Sequence, residues 1–516
     1  MTSIVAAATD VPRSQSTHHD DVIKVNTFIN RLGTIFPVMG DCTKTDNPAS
    51  DSPPEDPYNS PDVILITWDG PDDPEDPFNW SMRKKWWTVG LGLLASFICS
   101  VNGTILSVAH QSISDEFGIS DQHFPNSYWI TTSWGVGAAI FPLFLLPLIE
   151  DWGVRPVVLS TYFCFMCLLI PIGLAKNFTT LVVVRFFTGG CVPLMSDVVA
   201  SNTSNVFHGD RARSVPIAYI ELIFTAAFFP ILFLGLHETR GLAILRAKAK
   251  IMRKEGKNVY TAEESDHAPL YQVIIKSIQR PIFMFFTESV VFVATIWASF
   301  SLGTVYLFTQ SVEQVYGELY GWDAIQAGYV QSSIVIGEIL GTGFCLYTNR
   351  WHHNSAERNT EVRGTPIPEA RLYAAIIGGF FGVTEGMFVY GWAAYHYIHW
   401  IIVTVGLVMV GFGTAAVIIS NANYLIDAYS KYAASALAAV GLFENISIAF
   451  LPLASSAMYT NLGFHWASTL LGFISLILVS TPFLVIKWGK GIRARSPFME
   501  EAVIVRQRDL GALGTV

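Results

Sequence analysis

Five ionisable residues stand inside or at the edge of long apolar runs: Arg185, Glu288, Glu338, Glu385 and Glu444. A charge at the centre of a bilayer costs about 2.5–3.5 kcal/mol on insertion scales, so such residues usually face a cavity or a partner. Arg185, in "LVVVRFFTGG", fits that pattern; the alternative is that its long stem lets it snorkel to the interface. For a carboxylate, desolvation raises the pKa and brings proton exchange toward neutral pH. One acid can then hold either a proton or a cationic ligand. Glu338 sits mid-run in "IVIGEILGTG", where Gly337 and Gly341 allow close helix approach. Glu385 follows Gly378 and Gly382 and precedes Gly386, a spacing whose first explanation is packing. Glu288 lies near the start of its run, which favours an interfacial role. Glu444, beside Asn445, could bind a cation or pair with Arg185 across a cavity. Each acid could instead be a proton-bound, hydrogen-bonded structural carboxyl.

The elements that must carry these residues are membrane spans. The 516-residue chain is 51% hydrophobic and 14% charged, whereas soluble domains run near a quarter charged. A bilayer core takes about 20 apolar residues per helix. Runs of that kind fall at 86–109, 127–149, 156–175, 178–200 and 215–236, then at 282–309, 324–347, 372–393, 399–424, 433–458 and 464–487. The predicted organisation is a disordered acidic tail over 1–80, an N-terminal bundle over 81–237 and a basic central loop over 238–281. A six-helix bundle over 282–488 and a tail over 489–516 follow. The net charge of −9 is segregated, with acids in the first tail and bases beside apolar runs, which argues against nucleic acid as a partner. Cys42, Cys99, Cys164, Cys167, Cys191 and Cys345 suggest neither a disulfide framework nor a zinc site. There is no phosphate-binding glycine loop and no nucleophile elbow, so neither an enzyme nor a cofactor is expected. Asn177 opens a sequon, Asn177-Phe178-Thr179, close to the membrane.

Lys and Arg mark cytoplasmic flanks. Arg83, Lys84 and Lys85 precede the first run; Lys276 and Arg280 precede the sixth; Arg350, Arg358, Arg363 and Arg371 fill the 348–371 loop. The C-terminal six runs therefore begin and end in the cytoplasm. The N-terminal five begin there too, yet they exit into Arg240, Arg246, Lys248, Lys250, Arg253, Lys254 and Lys257. An odd number of crossings puts these bases on the wrong side. The expectation is that one span is missing.

Three stretches carry a family resemblance: "DPEDPFNW" before the basic start, "ETRGLAILRAKAKIMRK" in the central loop, and "NYLIDAYSKYAASALAA" after the 399–424 run. From about Trp68 to Phe498 the chain resembles the fungal twelve-span drug:proton antiporters of the major facilitator superfamily. The resemblance implies an all-α membrane fold of two six-helix bundles around a central cavity. It implies proton-driven export of small organic molecules: drugs, toxins, secondary metabolites or polyamines. It also implies a monomer in the plasma membrane, rather than the vacuolar membrane, with both termini cytoplasmic once the missing helix is restored. "RARSVPIAY" looks like the start of helix five and "IELIFTAAFFPILFLGLHET" like helix six, with the join near Ala218–Tyr219. About one helix and its loop are absent at about 20 residues per span. Arg185 matches the superfamily's helix-four arginine, which handles protons or anionic partners. In "PLIEDWGVRPVV", Glu150, Gly153 and Arg155 match a cytoplasmic gating loop, while Asp151 and Val154 stand where bases are usual. A turn eased by Gly153 is the plainer reading of that loop. Asn423, Asp427 and Lys431 share a four-residue spacing, and a structural tie of the loop between helices ten and eleven is the expected job. The competing reading is a truncated, non-transporting membrane protein.

Overall fold

The computed structural model describes residues 64–65, 68, 73–105, 113–114, 117–119, 126–206, 230–255, 259–261, 270–358, 366–429, 432–493, 495–496 and 498–499. Nearly all of these are helical. The N-terminal bundle holds α1 (Met82–Ile105), α2 (Trp129–Ile140), α3 (Pro142–Trp152), α4 (Val154–Gly173) and α5 (Phe178–Val206). Then come α6 (Gly241–Lys254) and α7 (Leu270–Thr287). The C-terminal bundle holds α8 (Ser289–Tyr320), α9 (Ala324–Asn354), α10 (Leu372–Ile377), a π-helical turn (Gly378–Thr384), α11 (Glu385–Trp392), α12 (Trp400–Tyr429) and α13 (Ala433–Arg493). Two short strands, β1 (Ile64–Leu65) and β2 (Val259–Tyr260), pair in parallel.

Among the described residues, six helices are long and apolar enough to cross a membrane, or seven with the α2–α3 pair, which bends by 41°. Of the eleven expected spans, 215–236 falls almost wholly outside the described residues; only its end is described, helical over 230–235. Helix α13 has 61 residues. At about 1.5 Å per residue it would be roughly 90 Å long, three times a bilayer core. Gly463 breaks it, with φ 75° and ψ 163°, into the two arms expected as separate spans.

Two sequence expectations change. The loop "QSVEQVYGELYGWD" is mostly helix: α8 continues to Tyr320 and stops where Gly321 adopts a left-handed φ of 67°. Packing of Tyr316, Tyr320, Trp322 and Trp400 rings stabilises this extension. The second change concerns the acidic tail. Residues 64–65, 68 and 73–80 are folded against the central loop rather than disordered, and the compact unit begins at Ile64. The rest of the 1–80 expectation lies outside the described residues.

Each bundle has its own apolar core. Trp134, Tyr162, Phe165 and Leu232 are buried in the first; Phe308, Tyr390, Tyr424 and Tyr459 in the second. The bundles meet where α2 crosses α13: the Thr132 hydroxyl donates to the Ala449 carbonyl at 2.9 Å.

One placement bears on the charge conflict. The start of α1, the α3–α4 turn and the segment 237–240 lie together. Trp80 packs edge-on against His237 at 6.2 Å. The Glu238 carboxylate accepts the backbone N–H groups of Val154 (3.0 Å) and Arg155 (2.9 Å). Helix α4 leaves this basic face at Val154, and α5 returns toward it. The segment after Leu236 thus shares a face with the start of α1 and the α3–α4 turn.

Candidate functional site

Arg185 is the buried charge of the N-terminal bundle, with 0% exposure. It does not snorkel. Its fork reaches the middle of α1, where Nη1 donates to the Asn102 side-chain oxygen at 2.7 Å and Nη2 to the Gly103 carbonyl at 3.0 Å. Nη1 also donates to the Asn102 carbonyl. A guanidinium removed from water needs several acceptors in fixed directions, and a buried turn of α1 backbone plus one amide supplies them. The only signal for Asn102 in the sequence is a single amide within the apolar stretch "ICSVNGTIL".

The four C-terminal acids do not converge. Glu288 is buried at 6% exposure and accepts a hydrogen bond from the Tyr429 hydroxyl at 2.9 Å. It sits where α7 breaks from α8, with an extended φ of −97° and ψ of 104°. It therefore ties the start of α8 to the end of α12. Glu338 and Glu385 are half-buried. Their neighbours explain their helices: a methyl at Gly337 would meet the Val408 carbonyl, and one at Gly382 the Gly413 backbone. Both α9 and the π-helical turn thus lie directly on α12. Glu444 is half-buried, and its neighbour Asn445 turns back to donate to the Gly441 carbonyl at 2.8 Å.

On the basic face, the gating loop takes a form the sequence only half predicts. Gly153 has a φ of 88°, a conformation glycine adopts freely. The side chains of Glu150 and Asp151 lie outside the described residues. Arg155 donates through Nη2 to the Phe233 carbonyl at 3.1 Å. Glu238 is the carboxylate that fixes this turn, capping the first N–H groups of α4. It also accepts the N–H of Arg240 at 3.0 Å. Its place in "ETRG" was noted as a family marker but given no role.

In the C-terminal bundle Asp427 has the corresponding position. It accepts Arg371 Nε at 2.9 Å and lies 3.5 Å from His352 Nε2. Arg371 Nη1 reaches the Asn349 side chain at 2.6 Å. Asn423 is half-buried one turn earlier, and Lys431 lies outside the described residues. Beside this cluster Glu369 pairs with Arg493, both buried. Asn177 is exposed, and its side chain caps α5 by accepting the Thr180 N–H at 2.8 Å.

Comparison with known proteins agrees with this architecture. Residues 92–241 match the Major Facilitator Superfamily model. An MFS-type transporter, acdC, of Aspergillus candidus is 31% identical over 501 aligned positions, covering 90% of this chain and 96% of the relative. The multidrug transporter FLU1 of Candida albicans is 29% identical, covering 85% of this chain and 77% of the relative. The efflux pump atB of Aspergillus terreus is 28% identical, covering 84% and 90%. In fold, the chain is similar to the human organic anion transporter MFSD10, with a TM-score of 0.53 at 12% identity, over 78% of this chain and 99% of that one.

Proposed function

The chain belongs to the major facilitator superfamily and is a multi-pass membrane transporter, and from that premise we propose that it exports small organic molecules by proton antiport. The observation that carries this reading is Arg185, a fully buried cation held by α1 inside the N-terminal bundle. A fixed positive charge lowers the proton affinity of an approaching acid and attracts an anionic or polar group of a substrate. Alternating access would make and break the two ties on the basic face, Glu238 to α4 and Asp427 to Arg371. The names of the relatives, an efflux pump and a multidrug transporter, support export of drugs, toxins or secondary metabolites. Half-buried Glu338, Glu385 and Glu444 would suit cationic cargo, polyamines included, without excluding neutral aromatic metabolites. We assign the protein to the plasma membrane as a monomer, with the basic face cytoplasmic.

The reading that one span is missing has two supports. The first is spatial. Residues 237–240 lie beside the start of α1, and the roughly 30 residues between α5 and that face cannot cross a bilayer twice at about 20 residues per span. The second comes from the A. candidus relative. A 90% share of 516 residues is about 464, yet the alignment runs over 501 positions. The surplus of about 37 positions is near one span and its loop at about 20 residues per span. FLU1 and atB give a similar surplus. A non-transporting product is the alternative that this gap favours.

The test is export of a fluorescent drug from a pump-deficient yeast expressing this chain. A matched version carries the missing helix, and both are assayed with and without a protonophore. Protonophore-sensitive efflux is expected. Retention of every compound by both versions, with both in the plasma membrane, would refute the antiport reading.

A further inference from the structure

The segment ahead of α1 and the segment after the N-terminal bundle are fastened together on the basic face. Strands β1 and β2 pair Ile64 with Val259 and Leu65 with Tyr260. The Trp68 ring covers Gly241 so closely that a methyl added there would lie 3.0 Å from it, tighter than an ordinary contact. Glu75 bonds Lys248 at 3.2 Å. Trp80 meets His237, and Lys84 lies 3.7 Å above the Trp80 ring. Burial at that ring lowers the Lys84 pKa. The strap is shaped by its own bonds: Asp73 accepts the Glu75 N–H at 2.9 Å, and the Asn79 amide donates to the Asp73 carbonyl at 2.9 Å. Arg253 stacks on Tyr260 at 4.8 Å, which holds β2 against α6. Val259 and Thr261 are each 1% exposed.

These contacts join the two chain ends of one bundle. They also shorten the connection to the other. Freed at Thr239, with α6 still helical, the chain to Leu270 could extend about 80 Å, at about 3.3–3.6 Å per extended residue and about 1.5 Å per helical one. Fastened through Thr261, it reaches only about 30 Å by the same measure. Glu75 of the strap faces Lys248 of α6, so the fastening includes a charge pair as well as strand pairing.

We propose that the described residues Ile64, Leu65, Trp68 and 73–80 form a clasp with 237–255 and 259–261 that closes the N-terminal bundle into a ring and limits how far the two bundles separate on the basic face. Opening the clasp lengthens the inter-bundle tether and widens the range of bundle separations. This goes beyond the export reading and does not depend on it.

The experiment uses the full chain in membranes with its native cysteines replaced by serine. A short bismaleimide should cross-link Leu65→Cys to Tyr260→Cys. Spin labels at Trp152→Cys and Trp488→Cys, both exposed ends on the basic face, report bundle separation. Ile64→Pro with Glu75→Lys should abolish the cross-link and broaden the label distance distribution at least twofold. The swap Glu75→Lys with Lys248→Glu keeps the ion pair with its sign reversed and should retain the narrow distribution, which separates an opened clasp from a misfolded chain. Absence of the cross-link in the parent would overturn the proposal. So would a distribution that stays narrow after the clasp opens, or one that broadens equally in the swap. Neither readout needs transport, so an inactive pump leaves the test intact.

Discussion

The two bundles keep their charges in different places. In the N-terminal bundle the buried charge is deep: Arg185 is bonded to the α1 backbone and Asn102. Its rim is held by one carboxylate, Glu238, bonded to backbone N–H groups. In the C-terminal bundle the bonds made by charged side chains lie between side chains at the rim: Asp427 with Arg371, Glu369 with Arg493, Glu288 with Tyr429. Its interior is packed by glycine contacts between α9, the π-helical turn and α12. The difference separates two jobs. A deep, fixed cation can act on protons or cargo within the membrane. Rim pairs between side chains can come apart and re-form without exposing backbone groups.

The largest expected effect comes from the deep charge. Arg185→Gln removes a guanidinium whose hydrogen bonds are worth about 1.5–3 kcal/mol each. In the helix-restored chain, export should fall below about a tenth of the parent rate. Arg185→Lys keeps the charge without the planar fork and should fall between the two. Equal export by parent and Arg185→Gln would erase the contrast between the bundles.

Next is the buried rim pair. Arg493→Met leaves Glu369 uncompensated, and breaking one side of such a pair costs about 3–5 kcal/mol. The apparent melting temperature in detergent should drop clearly. Adding Glu369→Met should recover much of the loss, because two packed apolar groups need no pairing. If the double variant melts no higher than Arg493→Met, the pair is not the source of the stability.

Smaller effects are expected at the N-terminal rim. Glu238→Ala removes the cap of α4, a change of about 0.5–2 kcal/mol. The melting shift should be modest, with faster proteolysis at the α3–α4 turn. Gly153→Ala should cost about 1–3 kcal/mol, because a φ of 88° with a ψ of 168° is essentially open to glycine alone. Its added methyl would also crowd the Glu238 carboxylate. If both variants melt like the parent, the N-terminal rim is held by something other than this cap.

Much of this architecture was readable from the residues. Ten of the expected runs meet described helices, because apolar length and flanking bases are written locally. The Gly337 and Gly382 contacts followed from small residues at four-residue spacing. What sequence could not supply was the partner of each charge. Asp427 finds Arg371, Glu238 finds the turn at Gly153, and Glu288 finds Tyr429, each across long separations in the chain. Spacing places a residue on a helix face but not opposite a neighbour. The strap over 64–80 was missed because its acids and prolines resemble a disordered tail, and its order depends on a surface more than a hundred residues away.

The placement that matters most is that of the segment after the N-terminal bundle, which shares a face with the start of α1. Ile251, exposed on α6, can be replaced by cysteine in a chain freed of its other thiols. A membrane-impermeant maleimide is then applied to intact cells and to opened cells. Labelling only after the cells are opened is predicted. Labelling of intact cells would put the basic helix outside and contradict the account.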